Sequence, residues 1–384
     1  MTVSKNHFLL VFILLAISIL LRLVLVPFLD SGNVWLRLAS ISLILASGAG
    51  FILLNIAKII EETTEVISKR TKLASGLLQS LGTAFPDMVL GIIAAFISLQ
   101  VRSTDYLRAV NFAIIAAATT FGSNIYNIGH AAWCISRQNL ANEKNKALLM
   151  FPFLKNAGQV TPMNQHSDQP AMEEMDVAID VSNVLTILTA VVAMSMVLFG
   201  RILNPPQGIQ GDLYQLVRPV GIVIFVLSIL SLFYFRKNHR KTSVGKENYY
   251  AEKPQLIIWL SLFFSGIAIL LTAESMVKAI EAFCGITGMP FVVAGVLAGV
   301  IGCLGEMIVV HDFTVNPRGR IGDAVVGVVM DNIVTIMGAA IVAIMGGIFL
   351  GGNALILIFV VILTLNTTLI WQISKLKNYF IKRA

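Results

Sequence analysis

GTAFPD (Gly82 to Asp87) lies inside an uncharged run from about residue 73 to 99 and sets a carboxylate in the middle of it. A helix rises about 1.5 Å per residue, so Asp87 falls near the centre of a hydrocarbon layer about 30 Å thick. A charge at that depth costs roughly 2.5–3.5 kcal/mol on insertion scales and marks a function or a partner. The stretch has a second copy. A shift of 219 residues lays IGCLGE (301–306) on GTAFPD and pairs Glu306 with Asp87, Asn55 with Glu274, Ser68 with Thr287 and Gly76 with Gly295. After an allowance of 11 residues near 100–110, a shift of 208 puts Ala116 on Ala324, Asn124 on Asn332, Ile125 on Ile333 and Ile128 on Ile336. Alanine and glycine matches mean little in such a composition. An intramembrane acid on an acid, and Asn on Asn, mean more.

The surrounding chain has 384 residues, 57% hydrophobic and 13% charged, with mean hydropathy +0.82. A soluble chain carries roughly 25% charged residues. Ten uncharged runs predict ten spans, near 8–29, 34–60, 73–99, 108–136, 176–200, 216–235, 256–280, 289–311, 322–347 and 352–376. Backbone polar groups in lipid must bond within their own segment, so the runs are read as helices. The first run carries Arg22 and no small-x-small cleavage site, and is read as a span rather than a signal peptide. Residues 137–175 read as a solvated loop. Cys134, Cys284 and Cys303 have no CxxC spacing and read as small buried residues, not as a disulfide framework or a zinc site.

The net charge of +7 is concentrated in loops and tails, which argues for membrane orientation and against nucleic acid. With both termini on one side, that side collects 20 of the 28 Lys and Arg residues, so both termini are expected in the cytoplasm. Five spans make one repeat, dividing the chain into 1–200 and 201–384, with the similarity confined to about 45–135 and 265–350. An odd unit inserts its second copy upside down, and inverted repeats place their site where broken helices meet at the midplane. The expected fold class is therefore an all-α integral membrane protein of about ten transmembrane helices, in two inverted five-helix repeats with broken helices at the midplane.

Gly82 and Pro86 flank Thr83, and Gly302 and Gly305 flank Cys303, so both acids sit among helix breakers. Freed carbonyls, a carboxylate and a hydroxyl form a hard-oxygen set suited to Ca²⁺ or Na⁺. Asp331 is a third acid at depth, with Asn124, Asn127, Asn332 and Thr335 on neighbouring spans.

GTAFPD followed by GSNIYN (122–127) resembles the first α-repeat of the calcium/cation antiporter superfamily, the sodium/calcium exchanger group. Residues 271–306 resemble its second α-repeat. The resemblance implies that Asp87 and Glu306 face each other across Ca²⁺. It makes Thr83, Ser123 and Asn127, with carbonyls near Ala84 and with Asn124, the ligands of the first repeat. In the second repeat it assigns Asp331, Asn332 and Thr335. This chain departs from the pattern: Asp87 is one methylene shorter than the usual Glu, and Gly302, Gly305 and Met330-Asp331 replace Thr, Pro and Gly-Ser. Asp331 is positioned to return a carboxylate lost at Thr335.

Blander readings stand beside these. Glu274 pairs with Lys278 at i+4, Asn55 bonds a neighbouring helix, and Glu61, Glu62 and Glu65 form a solvated face with Lys69 and Arg70. His130 and His311 lack a metal-ligand companion. The leading expectation is secondary antiport of Ca²⁺ or another divalent cation against Na⁺, in the cell membrane and without a cofactor. Its partners are inorganic cations and the bilayer, and a monomer suffices. The alternatives are a cation/H⁺ antiporter of the same fold, a non-transporting sensor or scaffold, and an intramembrane enzyme. Neither HExxH nor GxGD occurs in the chain, which argues against the enzyme, and the lack of a P-loop argues against a primary pump.

Overall fold

The described part of each expected run falls mainly on helix in the computed structural model, which describes residues 7–71, 75–163, 172–199, 212–238, 249–315, 321–345 and 353–381, with the backbone alone at 75–87 and at some other helix positions. The first two runs each contain a π-helical turn. His7–Leu20 (α1) continues through a π turn at Leu21–Leu25 and a 3₁₀ turn at Val26–Asp30. Val34–Ser47 (α2) passes through a π turn at Gly48–Leu53 into Leu54–Thr71 (α3). Then come Ser75–Val101 (α4), Tyr106–Lys144 (α5), Met172–Phe199 (α6), Asp212–Asn238 (α7), Gln255–Thr287 (α8), Phe291–Val315 (α9), Ile321–Ile344 (α10) and Asn353–Ile381 (α11). The ends are set by local chemistry. Asn33 accepts from the amides of Trp35 and Leu36, and Asp105 accepts from the Arg108 amide at 3.0 Å. Each satisfies donors that a helix start leaves free. Asn145 and Gly288 stop α5 and α8 in the left-handed region, at φ 48° and 68°.

Among the described residues, six helices are long and apolar enough to cross a membrane, or seven if the bent α9 counts as one span. The chain is thus an integral, multi-pass, all-α membrane protein. In α4 and α7 the described apolar parts, Met88–Val101 and Pro219–Tyr234, are shorter than a span. The central helix α5 carries too many Thr, Ser and Asn to register as an apolar span, because it faces other helices rather than lipid.

Three readings need correction. The 137–175 segment is not simply a solvated loop: α5 runs on to Lys144, and Leu148–Phe151 (β1) pairs antiparallel with Leu154–Val160 (β2). This hairpin is bonded to the helices beneath it. Arg137 donates to the Leu149 carbonyl, the Trp133 indole donates to Met150 at 3.2 Å, and the His311 Nε2–H donates to Ala157 at 2.8 Å. Gly158, at φ 84°, lies where an added Cβ would come within 3.0 Å of Val315. Glu62 does not lie on a solvated face. Its carboxylate meets His7 at 2.7 Å and is only 14% exposed, while Arg70 donates to the carbonyls of Ala251 and Lys253. Glu61, Glu65 and the Lys69 side chain lie outside the described residues. Asn55 bonds back to Phe51 at 2.7 Å instead of crossing to another helix. The carbonyl it takes lies inside the π turn, where the regular ladder is interrupted.

The packing joins the two halves of the chain. α5 packs along α9, and α4 along α10. α11 lies on α5, as α6 lies on α10, and α6 and α11 pack on each other. α1 lies on α8 and α7 on α10, so the outer helices do not follow the same pairing. The α5–α9 crossing is backbone to backbone: a Cβ at Gly299 would stand 2.6 Å from the Ser123 amide, and one at Gly122 2.8 Å from the Val296 Cα. Only glycine permits that approach. Arg22, inside the first span, pairs with Glu274 at 2.8 Å, and Glu274 also takes the expected Lys278 at 2.9 Å. The three cysteines are buried and form no disulfide with one another.

Candidate functional site

Thr120, Ser123, Asn124 and Asn127 recur three and four residues apart and so share one face of α5. All four are buried, Asn124 and Ser123 fully. A polar stripe with no water access keeps its helix only if it finds partners inside the bundle. One partner is across the interface: the Asn127 amide donates to the Asn332 side-chain oxygen of α10 at 3.5 Å. Asp331, Asn332 and Thr335 are also buried. The structure therefore brings Asn127 and Asn332 into direct contact and sets Asp331 and Thr335 on the same stretch of α10.

The hydroxyls and amides on these helices are arranged as acceptors. Thr335 donates to the Asp331 carbonyl at 3.0 Å, and Ser123 donates to Thr120 at 2.9 Å. With their protons committed to the backbone, both oxygens present lone pairs. Among the described residues, the Asn124 oxygen and nitrogen, the Asn127 oxygen, the Asn332 nitrogen and the Thr119 hydroxyl have no hydrogen-bond partner. Leaving a buried polar group unpaired costs about 1–3 kcal/mol, so the amide oxygens of Asn124 and Asn127 call for a cation or water.

Glu306, 5% exposed, sits at the break in α9. The segments Phe291–Leu304 and Glu306–Val315 are bent by 54°, at the Gly302–Gly305 pair that the sequence marks as a breaker. α4, by contrast, is helical throughout from Ser75 to Val101, including Pro86. Past the Gly122–Gly299 crossing α9 stays on α5, and at the far end the His130 and His311 rings stack at 6.0 Å.

Asp87, Thr83 and Ala84 belong to α4, but their side chains lie outside the described residues. The next residue, Met88, packs over Gly338 of α10, where an added Cβ would come within 2.5 Å of its Cγ. Gly91 likewise abuts Thr120 of α5. The backbone of Asp87 thus adjoins the helices that carry Asn124 and Asn332. Among the described residues no three of His, Cys, Asp or Glu come together as a metal cluster.

Sequence reasoning passed over two features. Thr119 and Thr120 continue the polar face of α5, a signal available from the i, i+4 spacing to Ser123 and Asn124. His130 and His311, set aside as isolated, form a ring cluster with Phe151 of the hairpin, at 6.2 and 5.8 Å. No sequence pattern announced that contact.

No protein-family model matches the chain, and no curated protein matches it. Solved structures do. The crystal structure of the H⁺/Ca²⁺ exchanger CAX superposes with a TM-score of 0.57 at 13% identity, covering 93% of this chain and 81% of that one. The structure of native YfkE superposes with a TM-score of 0.56 at 14% identity, covering 97% of each chain. The chain has the fold of these two proteins. The expectation drawn from GTAFPD and GSNIYN is borne out at the level of architecture, at an identity too low for sequence comparison alone.

Proposed function

We propose that the chain is a secondary active cation antiporter that exchanges Ca²⁺, or another divalent cation, for Na⁺ by alternating access. The observation that carries this reading is the set of oxygens on α5, α9 and α10. It comprises Glu306 at a helix break, Asp331 on the next helix, and amide oxygens on Asn124 and Asn127 that lack protein partners among the described residues. Asp87 of α4 completes the set as the second central carboxylate, with Thr83 and the carbonyl of Ala84 beside it. Ser123, Asn332 and Thr335 supply neutral oxygens. Two carboxylates compensate a dication, and neutral oxygens suit a monovalent ion in the alternate state. The two halves act as inverted five-helix repeats of a ten-span bundle, with both termini in the cytoplasm of the cell membrane. No catalytic group is required.

A second reading keeps the fold and the Ca²⁺ site but drives exchange with protons. It is favoured by the likeness in fold to CAX, an H⁺/Ca²⁺ exchanger, and by three acids at depth. Radioactive Ca²⁺ uptake into proteoliposomes, under an imposed Na⁺ gradient or an imposed pH gradient, tests both readings. Uptake driven by Na⁺ alone supports the first, and uptake driven by pH alone the second. No uptake under either gradient removes antiport of Ca²⁺ altogether.

A further inference from the structure

Two tryptophans mark where the bundle leaves the lipid. Trp133 of α5 lies under the Arg137 guanidinium at 5.8 Å, and Trp371 of α11 under the Lys375 ammonium at 5.7 Å. Both pairs are four residues apart on adjacent helices, both rings are more than a third exposed, and Trp with a flanking cation is the signature of the membrane–water boundary. Beside Trp371, along the contact of α5 with α11, lies an open cleft of about 440 Å³. Its lining includes Asn139, Glu143, Trp371, Lys375, Asn378 and Tyr379. Neither the ion site nor the hairpin uses it.

The geometry points to this cleft as a headgroup site for a zwitterionic phospholipid with a primary amine, of the phosphatidylethanolamine type. The cleft pairs the two charges that such a lipid needs, an ammonium for its phosphate and a carboxylate for its amine. Trp371, 59% exposed, offers a ring to the glycerol and upper acyl region. One turn further out, Lys375 carries three donors, of which one is given to Glu143 at 2.8 Å. The others are available to a phosphate, together with the amide of the exposed Asn378. Glu143, on the extension of α5 past Arg137, stands beside Lys375 with one carboxylate oxygen on its ammonium at 2.8 Å, and offers the other oxygen to the ammonium of the lipid. The Tyr379 hydroxyl donates to the Asn142 carbonyl at 3.5 Å and ties the end of α11 to α5. The wall is held by a buried bond, Asn139 donating to the Gln372 side chain at 2.8 Å and to its carbonyl at 2.9 Å, so the cleft is preformed. The Glu143 carboxylate disfavours anionic headgroups, and a quaternary, trimethylated amine has no proton to give it.

The site is independent of which cation is transported, and its test reads lipid rather than flux. The protein is reconstituted in nanodiscs holding equal amounts of phosphatidylethanolamine, phosphatidylcholine and phosphatidylglycerol, and the lipids retained on release are identified by native mass spectrometry. The expected result is enrichment of phosphatidylethanolamine by about tenfold, the effect of one charge-assisted hydrogen bond. Glu143→Gln brings the three lipids near parity while lipid is still retained, and Lys375→Gln loses the retained lipid. Excess soluble phosphoethanolamine leaves the lipid in place. Equal retention by the wild type, preference surviving in Glu143→Gln, or displacement by the soluble headgroup would each overturn the assignment. A thermal unfolding scan of each variant shows that the loss is not one of fold.

Discussion

Asn127 and Asn332, 205 residues apart in sequence, touch side chain to side chain in the middle of the bundle. The bond is long at 3.5 Å, and it leaves the Asn127 oxygen and the Asn332 nitrogen without further partners among the described residues. It couples α5 to α10, one helix from each half of the chain. Asn127→Ala or Asn332→Ala is expected to weaken apparent Ca²⁺ affinity by roughly tenfold, the worth of one buried polar ligand. Proteoliposome uptake against Ca²⁺ concentration checks it, and unaltered affinity in both variants would remove these amides from the site.

Asp87→Asn and Glu306→Gln are expected to lower Ca²⁺ uptake by at least about a hundredfold, since each removes a formal charge facing a dication at unchanged shape. Protein yield and thermal stability should stay near wild type, because a neutral amide at depth is less costly than a carboxylate. Near-normal uptake by either variant, at normal yield, rules that acid out as a ligand.

Asp331 and Thr335 share a helix face, and the Thr335 hydroxyl already reaches the Asp331 carbonyl. Asp331→Ser is expected to weaken divalent transport, and Asp331→Ser with Thr335→Asp to recover part of it, by returning a carboxylate one turn along. If Asp331 only holds helices together, the single variant misfolds and the double shows no rescue. Size-exclusion profiles taken alongside uptake distinguish the cases.

Gly299 is where α9 presses its backbone against Ser123, and Gly266 of α8 has nothing within 4 Å of an added Cβ. Gly299→Ala should destabilise the fold by about 1–3 kcal/mol through overpacking. Gly266→Ala should leave it unchanged or up to about 1 kcal/mol more stable, from helix propensity. Equal melting temperatures for the two variants would mean that the α5–α9 crossing is looser than its geometry.

The positions of the helices were legible because charge is expensive in lipid: uncharged runs of about 20 residues have few alternatives to helix. The bend at Glu306 was legible too, since Gly302 and Gly305 stand three residues apart just before it in a span that otherwise reads as continuous. What escaped depends on contacts remote in sequence. RQNLANEKNK reads as loop by composition, yet Gln138 donates to Thr161, Asn139 bonds to Gln372 and Asn142 accepts from the Met163 amide, so tertiary bonds keep it helical. LLMFPFLKNAGQV contains Pro152 and has no clean alternation, so its hairpin emerges only once α5 and α9 provide a floor. Glu62 looked solvated because its partner His7 lies 55 residues upstream. At the candidate site, the residue types were readable, but the Asn127–Asn332 pairing was not, because the internal match sets Asn332 opposite Asn124 instead.

The π turn at Gly48–Leu53 holds a spare residue within a continuous helix. Losing that residue only closes the turn into regular α-helix, whereas gaining one more turns everything downstream by about 100°. Such an insertion would carry Glu62 off His7 and Arg70 off the carbonyls before α8, untying the amino-terminal helices from the segment that enters α8. Insertions should therefore be purged from 48–53 while they are tolerated in the tip of the 148–160 hairpin, where Phe153 stands 95% exposed.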